Sequence, residues 1–193
     1  MKTELIRAFL ALDMPEQIKE GIFDLYQPFF RKDTPFLRWT KKENLHLTIK
    51  FLGDVTEQQI TQISEIVRDL KPADEKYEFM VHNYGMFPPE MSPKVLWIGL
   101  KENDKLDRLV HEIEDRLSLL GFEKERRKFT PHITIGRLKI RNSFDLKLFE
   151  KIKTDLDKGF IRMTKESFFI NSVTFYQSTL RSQGAVYTKM REF

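Results

Sequence analysis

Two stretches decide how this chain folds: LHLTIKFL at residues 45–52 and PHITIGRL at residues 131–138. Each alternates apolar and polar side chains and is rich in β-branched Thr and Ile, the pattern of a strand buried on one face. Strand side chains point to opposite faces in turn, so His46 and Thr48 share one face while Leu47, Ile49 and Phe51 take the other. By the same parity His132 and Thr134 lie together, with Ile133 and Ile135 behind them in the core. Each strand then carries an imidazole and a hydroxyl roughly 7 Å apart, anchored by an apolar reverse side.

Outward from the first copy, strand-like and helix-like segments alternate without a low-complexity linker. Residues 6–13 (IRAFLALD) read as a buried strand, and Pro15 opens a helix over 16–30 with apolar side chains at Ile18, Ile22, Leu25 and Phe29. A short strand over 36–39 precedes the motif, and Gly53-Asp54 reads as a turn after it. Thr56 caps a helix over 57–70, which Lys71-Pro72 stops. Residues 77–87 read as a strand ended by Pro88-Pro89, followed by a strand over 95–100 (VLWIGL). The clearest helix covers 103–120, where Leu106, Leu109, Val110, Ile113, Leu117 and Leu120 repeat every three or four residues before Gly121. After the second motif come a short helix over 145–156 and a closing hairpin, 167–177 with 185–191, around the polar segment 178–184. Strand, helix and His-bearing strand thus occur in both halves. The expected fold is a bilobal, pseudo-symmetric α+β domain spanning 1–193, with two mostly antiparallel sheets and outer helices around a central cleft.

Composition narrows the chemistry. The chain has 193 residues, four histidines and no cysteine. That excludes disulfides, thiolate metal sites and cysteine nucleophiles, and suits the reducing cytoplasm. No apolar run reaches the ~20 residues of a membrane helix, and residues 1–7 hold no signal-peptide core. A net charge of +4 leans mildly toward anionic partners.

Two imidazoles can divide labour near neutral pH, one accepting a proton and the other donating one. In-line displacement at phosphorus puts the attacking and leaving oxygens on opposite sides, so acid and base must face each other across the phosphate. Two pseudo-equivalent strands supply that arrangement, and the Thr hydroxyls can donate to the non-bridging oxygens. Nothing in the scheme needs a metal or cofactor; neither motif strand carries a carboxylate, and no two histidines have zinc spacing on a helix. His82, on a strand beside Asn83 and Tyr84, and His111, on the outer face of an amphipathic helix, read as surface residues.

Residues 44–55 (NLHLTIKFLGDV) and 130–137 (TPHITIGR) resemble the paired His-x-Thr-x motifs of the two-histidine phosphoesterase superfamily. Within it they are most similar to the RNA 2′,3′-cyclic phosphodiesterases, once named 2′-5′ RNA ligases. The likeness runs over almost the whole chain, through residues 7–13, Trp39, 95–99, Gly121-Phe122 and 173–180; Gln177-Ser178 departs from the Glu-Ser common in relatives. The resemblance implies a cleft in which His46 donates a proton to the leaving 3′ oxygen and His132 accepts one from water. A 2′,3′-cyclic phosphate would open to a 2′-phosphate end. It also implies an RNA-end substrate, no protein partner and a monomeric enzyme. The spacing itself is symmetric between the two histidines. Two other readings stand beside it: 2′-5′ phosphodiesterase or ligase activity on tRNA halves or small cyclic nucleotides, and an RNA-end-binding module without turnover.

Several supporting residues follow. Thr48, Thr134 and Arg137 are the candidate phosphate ligands. Parity sets Arg137 opposite His132 unless Gly136 marks a bulge that re-aims it. Arg7 and Phe9 share the face of the first strand that the resemblance places in the cleft. Lys50 is in phase with His46 and reads as a solvated cation. Residues 124–141 contain seven basic side chains, an RNA track or a solvated connection. Tyr84, Phe87 and Tyr176 are candidate platforms for a base.

Overall fold

A computed structural model describes residues 4–30, 34–71, 75–88, 93–163, 167–182 and 184–193, the side chains of 161–163 excepted. In chain order the strands are β1 (Ile6–Asp13), β2 (Leu37–Trp39), β3 (His46–Val55), β4 (Tyr77–Phe87), β5 (Val95–Leu100), β6 (His132–Leu138), β7 (Ser167–Ile170), β8 (Val173–Arg181) and β9 (Gly184–Glu192). The helices are α1 (Glu16–Tyr26), α2 (Glu57–Leu70), α3 (Asp104–Ser118) and α4 (Ser143–Met163). All the strand pairs are antiparallel. The expected α+β architecture is present, and the sheets of its two lobes are continuous. One sheet runs β7-β4-β5-β6-β3-β1-β8-β9, with β2 added beside β6. The lobes meet between β3 and β6, where Leu47 pairs with Ile133.

The helices form where their caps and apolar stripes agree. Thr56 Oγ1 accepts from Gln59 N–H at 3.2 Å, while Gln59 Oε1 accepts from Thr56 N–H at 2.9 Å, closing a capping box on α2. Asn103 caps α3, and the stripe Leu106, Leu109, Val110, Ile113 and Leu117 is buried throughout. Helix α1 stops at Tyr26, earlier than the periodicity predicts, because Pro28 turns the chain into a 3₁₀ segment. Helix α4 extends well past the predicted 145–156, since Phe149, Ile152, Leu156 and Phe160 keep one buried face. The predicted strand over 167–177 divides into β7 and β8, and the polar segment 178–184 is mostly strand. Pro72 and Pro89, expected to end elements, lie outside the described residues. Among the described residues, no helix is long and apolar enough to cross a membrane.

Bulges correct the simple parity of both motif strands. In β3 Ala11 faces Thr48 and Leu10 faces Lys50, so Ile49 is an extra residue; a second offset follows at Leu52. The strand continues through Gly53-Asp54 to Val55, where a turn was expected. In β6 Trp97 faces Thr134 and Leu96 faces Gly136, so Ile135 is extra. Each bulge moves all later side chains to the other face. Gly136 therefore turns inward, where a Cβ would lie 2.9 Å from Leu37 Cδ1.

Two expectations for β3 are reversed by the same offset. Phe51, expected in the core, is 69% exposed on the cleft side. Lys50, expected in solvent, is buried behind the sheet. Its Nζ lies 2.7 Å from Glu114 Oε2 and 2.5 Å from the Glu123 carbonyl. Glu114 Oε2 also accepts from Glu125 N–H at 3.1 Å, so this node ties the first motif strand to the connection that leads into His132.

Removing one partner of a buried ion pair leaves the other charge unsatisfied. Lys50→Ala should lower unfolding free energy by about 3 kcal/mol in urea titrations. The double substitution Lys50→Met with Glu114→Leu should recover most of that loss; equal instability of both variants would contradict the assignment.

Candidate active site

The pairing of Leu47 with Ile133 sets the geometry of the cleft. Both side chains are fully buried on the reverse face. In an antiparallel register their neighbours project together to the opposite side, so His46 stands across from Thr134 and Thr48 across from His132. The outer strands complete the floor. Asp13 and Ala11 of β1 lie opposite His46 and Thr48, and Gly99 and Trp97 of β5 lie opposite His132 and Thr134.

Each imidazole is held in the same way. His46 Nδ1 is 2.7 Å from the Asn44 carbonyl, and His132 Nδ1 is 2.7 Å from the Thr130 carbonyl. A carbonyl only accepts, so Nδ1 carries the proton in both rings. The neutral rings therefore leave Nε2 as an acceptor, and a second proton there makes either ring a donor.

Aromatic side chains wall both rings. Around His46 stand Phe9 at 4.8 Å, Tyr187 at 5.1 Å and Tyr176 at 6.1 Å between centroids. Phe87 at 5.2 Å and Trp97 at 6.2 Å enclose His132. Burial pulls His46 from 6.5 down to about 4, against the opposing hydrogen bond to Asn44 and the charge of Asp13. Burial also lowers His132, partly offset by the bond to Thr130. Asp13 is itself partly buried, which raises its pKa. Contacts with Lys189 at 2.6 Å and Lys19 at 2.5 Å outweigh this and keep it below the ordinary carboxylate value.

This paired arrangement matches known proteins over nearly the full chain. The family model for LigT-like phosphoesterases matches residues 12–97 and again 98–187, one match for each half. The chain belongs to the LigT-like phosphoesterase family. A relative from Methanocaldococcus jannaschii named RNA 2′,3′-cyclic phosphodiesterase is 37% identical over 97% of this chain and 100% of its own. One of the same name from Thermotoga maritima is 34% identical over 97% and 94%. The fold is shared with E. coli LigT in complex with 3′-AMP, with a TM-score of 0.73, 22% identity and 98% of each chain covered. Thermus thermophilus TT0787 gives a TM-score of 0.77 at 20% identity, with 97% of each chain covered.

Beside His46 this LigT-like phosphoesterase opens into a cavity of about 790 Å³. The histidines are not among its lining residues; Phe9 and Tyr187 are, and they form the wall shared with His46. The bulge at Ile135 brings Arg137 to the His132 face and into this cavity, together with Arg7 and the exposed ring of Phe51. Tyr176 and Phe87 face the cleft. Tyr84 does not: it packs on Phe160 and donates to Asp157, away from the histidines. Within residues 124–128 Lys124 pairs with Asp115 at 2.6 Å and Lys128 with Glu102 at 2.6 Å, while Arg126 and Arg127 lie exposed between them. His82 and His111 lie exposed outside the cleft, His111 being 3.6 Å from Asp115.

Sequence reading missed Tyr187, Trp97, Arg38 and Arg181. The pattern of β9, with Tyr187 two residues before Lys189, carried a usable alternation. Arg38 had no such signal, since its place follows only from the pairing of β2 with β6.

A lowered histidine pKa ties stability to pH with a definite sign. Between about 4 and 6.5 the unfolded chain binds a proton at His46 that the folded protein refuses, so stability rises with pH through that window. NMR titration should give the His46 ring a midpoint near pH 4. His46→Asn should lessen the slope of the stability profile between those pH values, leaving the part that His132 supplies; an unchanged slope would show that another group sets it.

Proposed function

We propose that this protein hydrolyses RNA 2′,3′-cyclic phosphate ends to 2′-phosphate ends by acid–base catalysis. The observation that carries the reading is the seam itself, with two imidazoles presenting Nε2 and two Thr hydroxyls on one face. The names of the M. jannaschii and T. maritima relatives support the choice of substrate.

The reaction follows from that placement. His132, with Nδ1 held by Thr130, takes a proton from water at Nε2 as the water oxygen bonds to phosphorus. The P–O3′ bond breaks, and protonated His46 gives its Nε2 proton to the leaving 3′ oxygen. Thr48 and Thr134 donate to the non-bridging oxygens, where negative charge gathers. Arg137 adds a cation from the cavity side. Release of the proton from His132 and its uptake by His46 restore the starting state.

Burial makes His46 reluctant to carry a proton in the empty cleft. The phosphodiester anion reverses this, since a negative charge nearby favours the imidazolium. Substrate thereby loads its own acid. The donor role of His46 is the one the family resemblance implies; Asp13 on its side of the seam favours the imidazolium, and Lys19 and His132 oppose it. Both histidines come from one chain, in keeping with a monomer, and the lack of cysteine suits the reducing cytoplasm.

His46→Ala and His132→Ala should each reduce kcat on a cyclic-phosphate oligoribonucleotide at least ~10²-fold while the protein stays folded. Thr48→Val or Thr134→Val should reduce kcat about 10²-fold with little change in KM. Product identification should show a 2′-phosphate, and turnover should withstand EDTA. Wild-type turnover in either histidine variant would rule out the mechanism.

A further inference from the structure

The cavity beside His46 is larger than the reacting cyclic phosphate requires, and its charge is one-sided. Among the described residues, Arg7, Arg38, Arg137, Arg181 and Lys41 line it, and no Asp or Glu does. Among the described residues, none of these five makes an ion pair with a carboxylate. Arg38 and Arg137 are direct cross-strand partners of β2 and β6. Like charges in that position repel, so a fold that keeps them there without a counter-charge is arranged for an anion.

Arg38 is also held in place. Its Nη2 donates to the Ser182 carbonyl at 3.3 Å, which ties it to the end of the β8–β9 hairpin. Gly184, with a φ of +126°, shapes the hairpin end beside it through its backbone, since a Cβ there would make only an ordinary contact with Arg38, 3.6 Å from the guanidinium carbon. A planar fork anchored on one side keeps its other N–H groups for a phosphate.

The placement relative to the seam indicates which phosphate. Arg137 lies two ladder steps beyond Thr134 once the bulge is discounted, roughly 7 Å along β6, and Arg38 is one strand spacing, about 5 Å, farther across. A cyclic 2′,3′-phosphate ends its chain, so every other phosphate of the substrate lies on the 5′ side of the reacting ribose. We infer that Arg38, with Arg181 beside it at the hairpin end, binds the internucleotide phosphate adjacent to the cyclic end and so selects oligonucleotides over mononucleotides. The inference rests on the proposed hydrolysis and adds to it a requirement on substrate length.

The test compares adenosine 2′,3′-cyclic phosphate with a diadenylate carrying the same cyclic end. Wild-type protein should prefer the dinucleotide by about tenfold or more in kcat/KM, the scale of one charge-assisted hydrogen bond. Arg38→Ala should lose at least tenfold more on the dinucleotide than on the mononucleotide, through KM rather than kcat. The salt dependence of log KM for the dinucleotide should become shallower by about 0.7. Arg38→Gln, which keeps more of the side chain's bulk, should behave alike, and Arg38→Lys should fall between. Equal losses on both substrates, or a wild type indifferent to length, would overturn the inference. His132→Ala separates the levels: if it abolishes turnover of both substrates while Arg38 variants show no length effect, only the length requirement fails. If His132→Ala leaves both rates intact, the hydrolytic reading fails and the inference falls with it.

Discussion

Leu47 and Ile133 face each other across the junction of β3 and β6, both excluded from water, and the cleft takes its geometry from that pairing. Because strand side chains alternate, burying those two residues commits His46, Thr48, His132 and Thr134 to the other face. Antiparallel pairing then does what neither strand does alone, setting each imidazole across from the hydroxyl of the opposite lobe. This polar set is therefore assembled by main-chain register, with side-chain packing on the reverse face as its energetic anchor. A one-residue slip would bury all four polar groups at once.

What surrounds the seam adjusts the chemistry of groups already in place. The Nδ1 contacts to Asn44 and Thr130 orient both rings identically, so the lobes differ through their walls rather than through the motifs. Around His46 the wall is Phe9, Tyr176 and Tyr187, with Asp13 held between two lysines. Around His132 it is Phe87 and Trp97. Dry walls make charged imidazole unfavourable in the empty site and strengthen its interaction with an arriving phosphate. Behind the sheet, the buried pair Lys50–Glu114 connects the first motif strand to the segment that delivers His132, so the two histidines share one support.

Much of this was legible in the sequence because it is written in short periods. The two His-x-Thr-x strands, the Thr56 and Asn103 caps and the stripe of α3 are local patterns, and the chain follows them. The failures have one main physical source. Parity counts residues, and a bulge adds a residue without adding a ladder step, so Lys50 and Phe51 came out on exchanged faces. Arg137 was tied to a bulge at Gly136; the extra residue is Ile135, one position earlier, and periodicity could not place it. The basic run after residue 123 reads differently in three dimensions: Lys124 and Lys128 meet acidic partners distant in sequence, on α3 and at Glu102, while Arg137 of the same run lines the cavity. The cavity's cations come from β1, from β2 and the loop after it, from β6 and from β8. No window of sequence holds them together.

The paired bulges have a consequence for how such a site can diverge. Both fall directly after the His-x-Thr unit, at Ile49 and Ile135, so each lobe presents the same two polar groups and then a third position freed from their parity. In one lobe that position is Phe51, in the other Arg137. The duplicated device is thus modular: the residues before the offset hold the imidazole and hydroxyl to which the proposed reaction assigns its work, while those after it can be exchanged without moving them. Ring on one side and guanidinium on the other give a symmetric engine an asymmetric mouth, and selection for a new substrate has a place to act that leaves the engine alone.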